Sequence, residues 1–397
     1  MFKKTTIDPE DLEQVMKVLA KLCSSNVWSN VQLADFTARR FEMGYVNNIF
    51  CCEMTEEAHE RLINKYSSSA EDNLSKIVIK FTPKDFFIKF KRYEMIAYHT
   101  ILSERGVLPK LIYFDDDCMI NEYIESRTYS YEDDCDSQTV QQLAKTLAIV
   151  HSARPPISMN GFELFNKFFD DNEENENNPM ISDTINKKYL DLLMKESEEI
   201  RNKYYSTFSE IDYKKINNFN KLLLDKIKSP LVFSHCDFNR GNRLVQREPK
   251  TGKSRVYLID FDYSCFFYRG FDLGRYFSNY RHREDMFGDE GFPTDDEMKL
   301  FLEAYRNECG RLQGDQYLLN ENNSLERLII ESKVFTLMAY SDYFFCLMMY
   351  TNNPTGPKKD YFLESAYNRY NAIKKQRKLF TADGTLPMLL DNHDYQL

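Results

Sequence analysis

Apolar residues first recur at helical spacing. Leu12, Val15, Leu19 and Leu22 form one stripe, with Asp8 suited to the N-cap and Pro9 to the first turn. From Phe36 the pattern shortens to strand-like runs. A strand around Phe41, a turn at residues 44–48 containing Gly44, Asn47 and Asn48, and a second strand at residues 49–52 make a hairpin. Its turn could lay backbone N–H groups over phosphates. In residues 76–81 Ile77 and Ile79 alternate with Val78 and Lys80, which predicts a strand with one apolar face. A helix over 93–105 and strands at 111–114 and 119–124 follow, the last two joined by a solvated Asp115–Asp117 turn. Beyond that the periods are helical: 140–151 with Leu143, Leu147 and Val150 on one face, 301–312, and 325–350. Residues 256–259 stand out as a buried strand entered through a turn at Pro249–Gly252.

Composition narrows the class. At 397 residues the chain has room for a large core and two lobes. Its net charge of −10 argues against a general nucleic-acid binder and suits a cationic substrate. Residues 170–178 are acidic and of low complexity, and they predict a surface insertion. The nine cysteines have no regular spacing, which favours reduced thiols and a cytoplasmic setting over a disulfide framework. Residues 1–4 lead into polar sequence, so no signal peptide is expected. The most apolar stretch, 334–350, is interrupted by Ser341 and Asp342 and predicts a buried helix, not a membrane span.

The candidate chemistry lies between His235 and Asp272. His235-Cys236-Asp237 is followed by Asn242, five residues after Asp237, and then by Asp260 at the end of the 256–259 strand. Phosphoryl transfer needs a carboxylate to orient the attacking hydroxyl and oxygen ligands for Mg²⁺ on the nucleotide. Asp237 suits the first role, Asn242 and Asp260 the second, and Asp262 could assist a second ion. Lys80 would reach the α- and β-phosphates, with Glu94 on the next helix positioning it. The backbone of Glu122–Ile124 would form the hinge that holds adenine. His151, at a helix end, reads as a packing or capping residue. An ion pair between Arg269 and Asp272 is expected to brace the catalytic loop.

These segments resemble the choline/ethanolamine kinase family. The resemblance is carried by the 235–242 loop, by Ile259-Asp260-Phe261-Asp262-Tyr263, and by Tyr268-Arg269-Gly270-Phe271-Asp272-Leu273-Gly274. It extends to residues 102–111, 41–50 and 375–379. It implies an α+β, two-lobed, protein-kinase-like fold: a small antiparallel-sheet lobe over residues 1–124 and a larger, mainly helical lobe over 125–397. It also implies ATP, Mg²⁺ and phosphorylation of the hydroxyl of choline or ethanolamine, the first step of phosphatidylcholine and phosphatidylethanolamine synthesis. The small amino alcohol is the expected partner, with no nucleic acid and no transmembrane segment. Oligomeric state is left open, a homodimer among the options. Two other readings are a kinase for a different small alcohol and a weakly catalytic family member acting as a binding module.

The resemblance is altered where the acceptor would bind. Family members cage the ammonium with two Trp on a late helix; here Phe345 and Met348 take those places, and the single Trp is Trp28. Asn279 stands where the family has Glu, and Asp262 where it usually has Glu. Tyr280, Tyr343, Phe345, Tyr361 and Phe362 could supply an aromatic wall. Of these, Asn279, Tyr280, Phe345, Met348 and Phe362 are the candidate substrate residues.

Overall fold

The computed structural model describes residues 9–41, 48–66, 74–82, 92–159, 190–191, 193–248, 250–283, 288–351 and 359–390; the side chains of residues 9, 213, 345–351 and 359–360 lie outside that description. The chain forms two compact units. The first comprises Met1–Ser126, Pro155–Ile157 and Tyr257–Asp262; the second comprises Arg127–Arg154, Ser158–Val256 and Tyr263–Leu397. The asymmetry expected between a small sheet lobe and a helical lobe is present.

The first unit is built on an antiparallel sheet. Its strands are β1 (Phe36–Arg40), β2 (Ile49–Met54), β3 (Lys76–Phe81), β4 (Leu111–Phe114) and β5 (Cys118–Glu122), in the order β1-β2-β3-β5-β4. Lys80 pairs across the sheet with Ile49 and Met119, and Ile79 with Phe50 and Ile120. Because strand side chains alternate faces, Ile77 and Ile79 are fully buried while Lys80 points to the opposite face. The buried face packs on helix α1 (Pro9–Leu19) through Val15, Val18 and Leu19, and on Trp28, whose indole Nε1 donates to the Leu74 carbonyl at 2.7 Å. Helices α2 (Glu56–Tyr66) and α3 (Arg92–Glu104) complete the unit. The Asp115–Asp117 turn is tied down from within and by a lysine. Asp115 accepts from the backbone N–H groups of Asp117 and Cys118, and both it and Asp117 pair with Lys21 at 2.7 and 2.9 Å.

The second unit is mainly helical. It holds α4 (Tyr131–Asp134), α5 (Ser137–His151), α6 (Glu198–Ser209), α7 (Tyr213–Ile227), α8 (Arg269–Phe277), α9 (Asp295–Gln313), α10 (Asp315–Leu319), α11 (Leu325–Thr351) and α12 (Lys359–Ala382). Two small sheets flank the 235–242 and 259–263 segments. One pairs β7 (Leu231–Ser234) with β10 (Cys265–Tyr268); the other runs β6 (Arg127–Thr128), β8 (Arg243–Arg247), β9 (Ser254–Leu258). The loop after β7 is the predicted catalytic loop, and β9 leads to Asp260. The two glycines of the 268–274 motif let α8 lie directly on α11. A Cβ at Gly274 would stand 2.3 Å from the Phe335 carbonyl carbon, and one at Gly270 2.1 Å from the Phe335 ring. Among the described residues no helix is long and apolar enough to cross a membrane. The 44–47 turn and the 170–178 insertion lie outside the described residues.

Candidate active site

Each unit carries its own part of the candidate machinery. In the first unit the Lys80 ammonium lies 2.7 Å from an oxygen of Asp260 and 2.7 Å from one of Asp262. Burial alone would push this lysine down; the charges and hydrogen bonds of the two carboxylates outweigh it and hold it above the ordinary lysine value. Asp260 has a positive φ of 62°, a conformation that non-glycine residues rarely adopt. The segment is clamped: the Leu258 N–H donates to the Val107 carbonyl at 2.9 Å, and the Tyr98 hydroxyl donates to the Phe261 carbonyl at 2.9 Å. Glu94 is half-buried in the first turn of α3; the carboxylates that meet Lys80 here are Asp260 and Asp262. Glu122, at the end of β5, accepts from the Lys110 N–H through its side chain at 2.8 Å, and Ile124 lies in the segment between β5 and the next strand. Asn48 accepts from Arg40; Asn47 lies outside the described residues.

In the second unit Asn242 binds Asp237 twice. Its Nδ2 donates to the Asp237 carboxylate and to the Asp237 carbonyl, both at 2.9 Å. The contact fixes the carboxylate and leaves the Asn242 side-chain oxygen to accept or ligate. Asp237 follows Cys236, whose φ of 63° turns the chain sharply. That turn is held by Asp272, which accepts from the backbone N–H groups of His235 at 2.7 Å and Cys236 at 2.9 Å. Burial would raise the Asp272 carboxyl, but the His151 and backbone hydrogen bonds keep it below its usual value. His151, itself held down by burial, lies 3.1 Å from Asp272 and 2.8 Å from the Tyr305 hydroxyl. It is a buried packing residue that meets Asp272 and Tyr305.

The expected Arg269–Asp272 ion pair is not the one formed. Arg269 pairs with Glu331 on α11 and donates to Asn323, so it ties α8 to α11, while Asp272 holds the loop through its backbone. Sequence reasoning also missed Asp134. Wholly buried, it accepts from the Tyr129 hydroxyl, the Tyr276 hydroxyl and the Arg281 N–H, and lies 3.9 Å from Arg240 in the catalytic loop. Arg243, also buried, donates to the Phe238 carbonyl at 2.6 Å and lies over the Phe238 and Tyr276 rings. No motif marks these residues; Asp134 also meets Tyr276 and Arg281 from 142 and 147 positions away.

Of the candidate substrate residues, Asn279 donates to the Tyr343 hydroxyl at 3.2 Å and accepts from Arg369 at 2.8 Å. Tyr280 is buried against Tyr276, and burial pushes its hydroxyl up to about 12 against the charge of Arg281. Phe362 packs with the cluster around Tyr204, Phe208 and Phe344. The side chains of Phe345 and Met348 lie outside the described residues.

The family model described as choline/ethanolamine kinase matches residues 39–372. The chain belongs to the choline/ethanolamine kinase family. Similar members include a probable ethanolamine kinase of Arabidopsis thaliana, 24% identical over 84% of this chain and 81% of that protein. A Homo sapiens choline/ethanolamine kinase is 25% identical over 79% of this chain and 73% of that protein. Among solved structures, the Cryptosporidium parvum choline kinase covers 95% of this chain and 98% of its own at a TM-score of 0.62 and 17% identity. An aminoglycoside phosphotransferase with bound gentamicin, at a TM-score of 0.52 and 14% identity, shares the fold. The choline/ethanolamine kinase family membership and the protein-kinase-like fold expected from the motifs therefore both hold.

Among the described residues no three His, Cys, Asp or Glu side chains cluster to hold a metal by themselves. Magnesium is commonly held by one or two carboxylates, with substrate phosphates supplying further oxygens. Asp260 and Asp262 already converge on one positive charge, that of Lys80, and so offer the hard oxygen donors such an ion requires.

Proposed function

We propose that this chain transfers the γ-phosphoryl group of ATP to the hydroxyl of choline or ethanolamine. The observation that carries the reading is the half-exposed Asp237 carboxylate, fixed by Asn242 on a loop that Asp272 holds by its backbone. Asp237 orients the acceptor hydroxyl and takes its proton as the oxygen attacks phosphorus. Asp260 and Asn242 each offer an oxygen to Mg²⁺, and Asp262 assists. When bound, MgATP supplies the phosphoryl group and neutralises its developing charge. Lys80 holds the phosphates with Glu94 behind it, while Asn47, Asn48 and the Glu122–Ile124 backbone embrace the nucleotide. The eight described cysteines are thiols, which suits the cytoplasm.

The test is direct. Purified protein is incubated with MgATP and either amino alcohol, and the phosphorylated product is quantified. Turnover is expected with at least one of them, and chelation of the metal should abolish it. Asp237→Asn keeps the side chain's shape but removes the proton acceptor, so kcat should fall by ~100-fold or more with nucleotide binding retained. Absence of phosphorylated product from either alcohol would overturn the reading.

A further inference from the structure

The acceptor side of the second unit has its own chemistry. Two guanidinium groups lie over the Tyr343 ring, that of Arg275 at 4.2 Å and that of Arg369 at 4.8 Å from its centroid. Arg369 also lies over Tyr340 at 5.1 Å, and Arg275 over Phe271 at 4.9 Å. Asn279 locks the arrangement, accepting from Arg369 and donating to the Tyr343 hydroxyl. A cation gains from an aromatic ring when it sits over the face within about 6 Å of the centroid. On these rings the chain's own cations already occupy such positions.

Asp342, next to Tyr343 on α11, offers a different kind of contact. Arg275 engages its Oδ2, yet the side chain keeps 18% of its exposure where Arg275 keeps 7%. Burial raises the Asp342 carboxyl, the Arg275 charge opposes this, and the negative charge of Asp237 adds to it. Arg240, three residues after Asp237, donates to the Asn279 carbonyl at 3.2 Å, which ties this corner to the catalytic loop. A primary ammonium carries three N–H donors that a carboxylate can accept. A trimethylammonium has none and depends on aromatic faces.

We propose that Asp342 is a specificity-determining residue that accepts hydrogen bonds from the primary ammonium of the acceptor, so that this chain phosphorylates ethanolamine in preference to choline. The proposal rests on the functional reading above and names the substrate within it. Steady-state kinetics with the full chain test it. The parent should show kcat/KM at least ~10-fold higher for ethanolamine than for choline, a difference equivalent to about 1.4 kcal/mol. Asp342→Asn should raise the ethanolamine KM by ~10-fold or more and the choline KM by clearly less, with kcat far less affected than KM, so that the ratio collapses. Asp342→Glu, which keeps the charge, should restore part of it. A parent that uses choline as well as ethanolamine overturns the proposal while leaving the functional reading intact. So does an Asp342→Asn protein in which both KM values rise together, the mark of a structural role. If Asp342→Asn does not fold, the parent ratio and Asp342→Glu still decide the matter. Failure of the parent to phosphorylate either alcohol overturns the functional reading, and this proposal with it.

Discussion

His99 shows how one side chain can set an acid limit on this fold. It is buried in α3, its ring edge-on to Phe261, and among the described residues neither ring nitrogen has a hydrogen-bond partner. Burial first, then the positive charges of Lys80 and Arg92, lower its pKa to about 3, with Asp262 pulling the other way. The unfolded imidazole protonates near pH ~6.5. Its folded-state pKa is therefore depressed: the stability it permits is complete above pH ~6.5 and is lost as pH falls toward 3. At pH ~5 the loss should reach about 2 kcal/mol. His99→Leu should remove that slope, so that parent and variant diverge in chemical denaturation at pH ~5 by more than at pH ~7.5. Equal pH slopes would assign the acid limb to other groups. The residue scale also shows what a linear motif can carry. Asp237 and Asn242 are five positions apart, so their spacing marked them as candidates, while the contact between their side chains appears only in the fold. Lys80 and Asp260 are separated by 180 positions, and only the folded strand and the left-handed turn at Asp260 bring them to 2.7 Å.

At the scale of elements, the 268–274 motif is as much a packing device as a signature. Gly274 lets the α8 backbone touch that of α11, and Arg269, paired with Glu331, pins the same two helices. Gly274→Ala would force backbone against backbone where no side chain can rotate away. It should cost roughly 1–3 kcal/mol, the usual range for overpacking, seen as a lower Tm. Asp272, on the same helix, holds the catalytic loop, so a drop in kcat should accompany the loss. An alanine variant with parental Tm would show that the helices can part at no cost. Strand and helix positions were legible because period and breakers agree: β3 spans the predicted 76–81, and α3 lies one residue from the predicted 93–105. That Asp272 braces the 235–242 loop was expected, but not that it does so by accepting from the His235 and Cys236 N–H groups, and the partner of Arg269 was not legible, since Glu331 arrives from a helix 62 positions away.

For the whole molecule, the notable fact is that the first unit is not continuous in sequence. Tyr257–Asp262 belongs to it, contributing the wholly buried Phe261 and the two carboxylates that meet Lys80. Residues 1–126 expressed alone would leave that lysine buried without its partners, a costly state. Such a fragment should lack a cooperative thermal transition in circular dichroism; a sharp one would show that the unit is self-sufficient. Two lobes were expected from chain length and from the family resemblance, but this return of the chain was not, because residues 256–259 read locally as one more buried strand. The sole tryptophan, Trp28, is 1% exposed, and its indole nitrogen is bound to the Leu74 carbonyl inside the first unit. Intrinsic tryptophan fluorescence is therefore a private signal of that unit. Its emission stays blue while α1 and the sheet hold together and shifts red when they open, whatever the 26 tyrosines of the chain report by absorbance.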